Sequence, residues 1–477
     1  MTRPLVAIVG GGVSGLAAAY ELSQLGIPFV LYEREPHCGG VVRTECVDGY
    51  TIDAGPDTVL THKPAAIDLC RALGLAALLR PQLSRTTFVV RGGRLRPLPE
   101  ASVMGIPTRW MPFATTNAFS WTGKLRMAAE VLLPAAPPAN DESIASFIGR
   151  RFGREAVDYL AEPLLAGIHG GDPARLSMRS AFPEFLELEA RDRSVIIGLR
   201  REGLAAAPSP FLALPGGMSE LTRALVASLP RGTIQNGVGV EGIEPSRPSA
   251  SSGRREPVEG RGGYLLRLIG GVQVRVPAVL VATPPPIAGR VLQSLDKDLS
   301  ALCARIPTAS VVTVALGFAR SAVRHALNGT GFVVPRREGL RVRAVSWASS
   351  KWEGRAPADR VLLRAYLGGA VDPHAIDLDE ATLVGRAHQD MTVLLGIAGE
   401  PELARVYRWH DAAPQREVGH LDLMGKLESR LATYPGLFLT GSGFRRTGIA
   451  GCVADGRRQA GLAAARLSSG QLLSRLG

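Results

Sequence analysis

Leu5-Val6-Ala7-Ile8-Val9-Gly10-Gly11-Gly12-Val13-Ser14-Gly15 runs from an uninterrupted apolar stretch straight into a glycine-rich turn. Five apolar residues in a row fit a strand of a parallel sheet that is covered on both faces. Gly10-x-Gly12-x-x-Gly15 follows at once, and then a helical pattern of Leu16, Ala17, Tyr20 and Leu22 that stops at Gly26. A second strand is expected from Phe29 to Tyr32, closing on Glu33. Gly10 permits the tight turn, Gly12 lets a pyrophosphate approach the backbone, and Gly15 lets helix pack on strand. Gly11, Val13 and Ser14 complete the loop and begin a helix whose free N–H groups and positive end suit phosphates. Glu33 stands 21 residues beyond Gly12, where a carboxylate accepts from ribose hydroxyls, with Arg34 beside it. Strand, glycines, helix, strand and terminal acid in register predict dinucleotide binding.

The chain has 477 residues, room for several units of about 150 residues each. With 46% hydrophobic and 21% charged residues it is expected to fold over most of its length. The net charge is +12, and only five of the 55 basic residues are lysine. No basic block interleaved with aromatics occurs, so nucleic acid is not expected as a partner, and the basic surface reads as solvated. Cys38, Cys46, Cys70, Cys303 and Cys452 are odd in number and scattered, without a CxxC, so neither a disulfide framework nor a metal site is expected. Reduced thiols fit the cytoplasm. The first strand begins within four residues, which leaves no room for a signal peptide, and no apolar run reaches the roughly 18 residues of a spanning helix. Ile106 to Phe119 and the helix after Thr122 stay open as a surface for peripheral membrane contact or for a partner enzyme.

Gly39-Gly40, preceded by Glu35-Pro36-His37-Cys38 and followed by Val41-Val42-Arg43-Thr44, resembles the double-glycine motif of the flavin-dependent amine oxidase superfamily. In that superfamily the motif reaches the FAD diphosphate. Gly49-Tyr50-Thr51-Ile52-Asp53-Ala54-Gly55-Pro56-Asp57-Thr58 is similar to the next segment, which passes beside the flavin. The resemblance implies FAD rather than NAD, and an α/β fold of a particular kind. A discontinuous Rossmann-like FAD-binding domain (1–84, 211–289 and 406–477) would carry an inserted α+β substrate domain (85–210 and 290–405) with a helical part. Leu214–Met218 would lead into a helix bearing Leu221, Leu225 and Leu229. A strand from Val238 to Ile243 would place Val240 at the adenine, and 246–263 reads as the exposed loop of a hairpin. Strands Val276–Ala282 and Leu437–Thr440 follow. A last helix from Gly448-Ile449, with Thr447 just ahead, would run to about Leu467 and face the flavin ring, stabilising its reduced, anionic form. Gly441-x-Gly443 is followed by Arg446 where a third glycine would stand, so no NAD(P)H site is visible and an oxidase is expected.

Blocks outside the cofactor motifs narrow the resemblance. Val103-Met104-Gly105-Ile106-Pro107-Thr108, Glu162-Pro163-Leu164-Leu165-Ala166-Gly167-Ile168-His169-Gly170-Gly171-Asp172, Arg408-Trp409-His410 and Pro414-Gln415 with Gly419-His420 are similar to the porphyrinogen oxidase family. Ser346-Trp347 through Lys351-Trp352 resembles its soluble bacterial branch, which oxidises coproporphyrinogen III. The protoporphyrinogen branch usually places arginine where Thr87 stands, with Arg85 two residues earlier here. The resemblance implies a six-electron oxidation within heme biosynthesis, in three rounds. Each round passes a hydride from the macrocycle to flavin N5, and oxygen then takes the electrons to give peroxide. It also implies Lys63 as a steering or gating residue, the Gly167 carbonyl as acceptor of a pyrrole proton, His169 as a relay and Trp409 against the cofactor. Arg445-Arg446 stand where the family usually has an acid and a glycine, and Ala450-Gly451 where it tends to have Pro-Asp. Cys452 does not fit a covalent flavin-cysteine motif, so FAD is expected to be non-covalent. Competing readings are the protoporphyrinogen branch, an amine oxidase, a carotenoid desaturase, and an FAD-stabilised porphyrin-binding protein without activity. Contact with neighbouring heme-pathway enzymes is a further expectation.

Overall fold

The computed structural model describes residues 5–99, 102–103, 106–135, 141–203, 210–246 and 263–475, with Ile168, His169 and 469–475 described by backbone alone. Val6–Val9 is the centre of a five-stranded parallel sheet. The strand order is Ile234–Asn236, Phe29–Glu33, Val6–Val9, Ala278–Val281 and Leu437–Leu439. Alternate side chains of these strands enter two different cores, which is why their sequences are continuously apolar. Val6, Ile8, Leu31, Ala278 and Leu280 pack among the helices Val13–Gln24, Ala65–Ala72, Ser219–Ser228 and Gly448–Arg475. Ala7, Val9, Val30, Val279 and Val281 pack on the other side. There they meet the antiparallel strands Val240–Pro245, Tyr264–Leu268 and Gln273–Val276, with the helices Pro285–Leu292, Lys297–Ala304 and His420–Leu431.

A second, seven-stranded sheet has the order Leu403–Pro414, Thr308–Ala319, Arg360–Gly368, Ala344–Trp347, Gly331–Val333, Thr87–Arg91 and Arg94–Pro97. Within Arg360–Gly368 the alternation is sharp. Val361, Leu363, Ala365 and Leu367 join the core beneath the helix Glu380–Leu395. Leu362, Arg364 and Tyr366 occupy the intervening positions, which face the other way. That second face meets the hairpin Thr44–Val47/Tyr50–Asp53 through Leu362, Leu403 and Tyr407. It meets a helical block, spanning Trp110 to Arg201, through Val89, Val333 and Ala344.

Three elements differ from the sequence reading. The edge of the parallel sheet is Ile234–Asn236, and the following strand starts at Val240 rather than Val238. Gly237, at φ +73°, breaks the chain between them. Val276 belongs to the antiparallel strand before Pro277, so the parallel strand begins at Ala278. The last helix continues to Arg475, beyond Leu467. The helix Pro285–Leu292 spans residue 289 and the strand Leu403–Pro414 spans residue 405, the two places where the sequence reading divides the chain. The loop read at 246–263 falls at 247–262 outside the described residues, as do Met104 and Gly105.

The helical block is organised around a buried ion pair. Glu130 is fully buried and joined to Arg151, itself 1% exposed. Glu130 also accepts from the Ser194 hydroxyl at 2.5 Å and the Val195 N–H at 2.9 Å, at the start of the helix Val195–Arg201. A buried carboxylate is tolerable only with such a full set of donors. Removing it leaves Arg151 only Glu189 at 3.4 Å and backbone carbonyls, among them those of Pro134 and Arg193, so Glu130→Ala is expected to cost about 3–5 kcal/mol in urea unfolding. Glu189→Ala, which leaves Arg151 its main partner, should cost distinctly less.

Candidate functional site

The glycine turn, the double glycine and the 55–58 segment lie side by side. Gly10 has φ +104°, and a Cβ there would stand 3.0 Å from the Ala282 carbonyl. A Cβ on Gly15 would collide with the Gly10 carbonyl, so helix and strand touch through backbone alone. Gly12, in contrast, faces open space. The Gly39 N–H donates to the Gly11 carbonyl at 2.9 Å, a Cβ on Gly40 would meet the Gly12 Cα, and one on Gly55 would strike the Val41 carbonyl. Glu33 sits at the end of its strand, where its carboxylate accepts from the Gly11 N–H at 2.6 Å and the Glu35 N–H at 2.9 Å. Arg34 is exposed and paired with Glu35. Val13 and Ser14 are buried in the first turn of their helix, against which Gly456 of the last helix packs at the Ser14 carbonyl.

From Asp53 to Asp57 the chain is held by side chains from residues 351–409. Asp53 pairs with buried Arg355 at 2.9 Å and accepts from the Thr44 hydroxyl and the Met218 N–H. The Ala54 carbonyl accepts from Trp409 Nε1 at 3.1 Å, and the Gly55 carbonyl from Arg364 Nη2 at 2.7 Å. Pro56 is exposed and Thr58 half-buried. Asp57 receives Lys351 Nζ at 3.1 Å, Trp352 Nε1 at 3.3 Å and the Arg364 guanidinium at 3.3 Å. Burial opposes its ionisation, but the Lys351 and Arg364 charges and the Lys351 and Trp352 hydrogen bonds outweigh it, holding the carboxyl at about 2. Arg364 also lies over the Tyr366 ring, whose phenol burial pushes up to about 12. Two cations thus share one carboxylate beneath the segment.

Opposite, the helix Glu162–His169 is entered through a π-helical turn, Val157–Ala161. Gly167 presses it onto the seven-stranded sheet, since a Cβ there would stand 2.7 Å from that of Ala344. The His169 side chain lies outside the described residues. Lys63 is exposed in the turn ahead of the helix Ala65–Ala72. Thr447 and Gly448 open the last helix, where Gly448 has φ +72° and faces open space. Thr447 accepts from Arg416 at 3.3 Å, and Ile449 is buried beneath. Val240 is half-buried beside the end of the parallel sheet.

Arg445 and Arg446 part company. Arg445 is committed to Glu428 at 2.7 Å and the Leu439 carbonyl at 2.8 Å, so it braces the loop from behind. Arg446 is exposed. Sequence reasoning missed Arg355 and Arg364. The one available signal was a charged residue inside the otherwise apolar run Val361–Leu367, because a strand interior rarely buries arginine without a carboxylate to hold.

The residues fit a dinucleotide. The helices starting at Val13 and Gly448 have no acid in their first turns, so both positive ends are free to take anions. Thr283 Oγ1, beside Gly10, is buried without a partner. Among the described residues no group of three or more His, Cys, Asp or Glu could hold a metal ion.

Residues 13–464 match the family described as flavin containing amine oxidoreductase. A coproporphyrinogen III oxidase of Bacillus subtilis (strain 168) is 35% identical over 467 residues, covering 95% of this chain and 96% of its own length. Protoporphyrinogen oxidase 1, chloroplastic, of Spinacia oleracea is 28% identical, covering 94% of this chain and 81% of its own. A crystal structure from Exiguobacterium sp. 255-15, provisionally named a protoporphyrinogen oxidase, superposes with a TM-score of 0.84 at 30% identity, over 98% of this chain and 99% of that one.

The Asp57 carboxyl lies lower in the folded chain than in the unfolded one, so its stabilisation is complete above pH ~4 and fades as pH falls toward 2. Asp57→Asn is therefore expected to lose on the order of 2 kcal/mol at pH 7, with the gap to wild type shrinking by roughly half at pH 3. Urea unfolding at the two pH values checks this.

Proposed function

The chain belongs to the flavin containing amine oxidoreductase family, and from that premise we propose that it oxidises coproporphyrinogen III to coproporphyrin III. The observation that carries the reading is near-full-length similarity to proteins named coproporphyrinogen III oxidase, 35% and 30% identical, from Bacillus subtilis (strain 168) and Staphylococcus aureus (strain NCTC 8325 / PS 47). One reaction consumes three dioxygen molecules and releases three hydrogen peroxide molecules. FAD, when bound, supplies the hydride acceptor for each of the three rounds.

Gly10, Gly11, Gly12, Val13, Ser14 and Gly15, with Gly39, Gly40 and Val41, would hold the pyrophosphate on backbone N–H groups. Glu33, which now accepts from the Gly11 N–H, would take ribose hydroxyls, with Arg34 at the rim and Val240 at the adenine. Gly55, Pro56, Asp57 and Thr58 would line the flavin ring, with Trp409 fixing the Ala54 carbonyl just ahead of them, and Thr447, Gly448 and Ile449 would offer it the positive end of the last helix. Cys452 is buried, and burial pushes its thiol up to about 11, which suits a non-covalent cofactor. Gly167 turns its carbonyl to a pyrrole N–H, and Lys63 draws carboxylates to the mouth. The FAD-binding part would comprise 1–84, 211–289 and 406–477 and the substrate part 85–210 and 290–405, with the boundaries near 289 and 405 shifted to the ends of the helix Pro285–Leu292 and the strand Leu403–Pro414.

The second reading, protoporphyrinogen IX as substrate, is favoured by the names of the Spinacia and Exiguobacterium proteins. Thr87 favours the first: its hydroxyl bonds that of Thr330 at 2.9 Å, and the neighbouring Arg85 is exposed. No helix among the described residues is long and apolar enough to cross a membrane. We place the enzyme in the cytoplasm, with exposed Met111, Trp121, Leu125 and Leu132 as its contact for a membrane surface or a neighbouring pathway enzyme.

Anaerobic mixing of the FAD-loaded protein with coproporphyrinogen III is expected to bleach the flavin rapidly, and admitting air should then yield porphyrin fluorescence. Protoporphyrinogen IX should bleach it more slowly. The reverse order moves the chain to the protoporphyrinogen branch, and no bleaching by either substrate overturns the oxidase reading in favour of a porphyrin-binding flavoprotein.

A further inference from the structure

The three most deeply buried arginines have a carboxylate each: Arg151 has Glu130, Arg355 has Asp53 and Arg364 shares Asp57. Among the described residues Arg416, which is half-buried, has none, nor has Arg343, which is buried against the Glu162–His169 helix. Arg416 follows the strand that carries Trp409 and stands at the junction of three elements. Its carbonyl accepts from the Ser177 N–H of the helical block at 2.9 Å, and its Nη2 donates to Thr447 Oγ1 at 3.3 Å, just ahead of the last helix. That neutral hydroxyl is the guanidinium's hydrogen-bond partner among the described residues, and no carboxylate comes within ion-pair distance. Burial pushes the guanidinium below its ordinary value, and the exposed Glu184 opposes this only in part. Glu184 also acts on His62, an exposed ring that partial desolvation and the adjacent Lys63 hold down, so the turn bearing Lys63 and the start of the helix Pro183–Asp192 border the same space. Next to it the first turn of the last helix offers a positive end with no acid of its own.

A desolvated guanidinium without a carboxylate is costly, and its five donors match a carboxylate in bidentate geometry. The flavin pyrophosphate cannot be that partner, because its cradle at Gly10–Gly15 lies at the other positive helix end. We propose that Arg416 is a substrate-binding residue that takes one propionate carboxylate of the porphyrinogen, between Thr447 and the Lys63 turn. This rests on the coproporphyrinogen reading above. It adds a determinant that selects the tetra-propionate substrate over one with two propionates.

The test uses FAD-loaded wild type, Arg416→Gln and Arg416→Lys, with coproporphyrinogen III and protoporphyrinogen IX, at low and moderate salt. Arg416→Gln is expected to keep its flavin spectrum and to raise KM for coproporphyrinogen III roughly 10- to 100-fold with kcat nearly unchanged. KM for protoporphyrinogen IX should rise by a smaller factor, so the preference between substrates narrows. Arg416→Lys keeps the charge without the fork and should recover part of the loss, with a steeper salt dependence. Should the glutamine variant not retain flavin, the lysine variant carries the test through the same KM. Coproporphyrinogen KM within twofold of wild type for the variants that hold flavin overturns the assignment of Arg416, while the wild-type bleaching leaves the oxidase reading standing. A wild-type flavin that no porphyrinogen bleaches overturns both.

Discussion

Two cations closing on one largely buried carboxylate hold the 53–57 segment to the seven-stranded sheet. Asp57 is met by Lys351 and Arg364, and Arg364 reaches past it to the Gly55 carbonyl. A guanidinium that is 1% exposed cannot be left unpaired without a penalty of several kcal/mol, so Arg364 and Asp57 enforce one another. Arg355 on Asp53 and Trp409 on the Ala54 carbonyl extend the same clamp upstream. The consequence reaches the cofactor cradle, because Gly55 packs on Val41, and Gly40 on Gly12. A shift of the 53–57 segment would therefore be felt at the glycine turn.

How much of this the sequence discloses depends on distance along the chain. The glycine turn, its flanking strands and the terminal acid are local, and their spacing is dictated by one strand–helix–strand unit. Gly10, Gly15 and Glu33 stand where that spacing places them. The pairings that close the site join residues about 300 positions apart, and neither periodicity nor turn chemistry encodes them. Arg364 reads as a polar break in a strand, and only the fold shows that the break faces Asp57. The edge strand Ile234–Asn236 was hidden for a different reason: three residues between a turn and Gly237 carry too little pattern to separate from the strand that follows.

Charge followed a similar course. A net +12 suggests a solvated basic exterior, yet several arginines are structural. Arg151 holds the helical block together through Glu130, and Arg445 ties the loop before the last helix to Glu428. Arg445 is therefore committed to its own loop, although it stands only three residues ahead of Gly448. On the proposed reading, the cations that meet an anionic substrate are Lys63, exposed ahead of the helix Ala65–Ala72, and Arg416, which donates to Thr447. The last helix adds a positive end there, and the Glu162–His169 helix closes the opposite side over Ala344.

The most direct test of the clamp is the FAD dissociation constant of the apoprotein, titrated for wild type and Arg364→Met. If Arg364 positions the segment beside the flavin, the variant remains folded and binds FAD at least about tenfold more weakly, the expected effect of losing a charge-assisted hydrogen bond from a buried site. An unchanged dissociation constant would contradict the account, and would mean that the glycine turn and the helix ends hold the cofactor without help from the sheet.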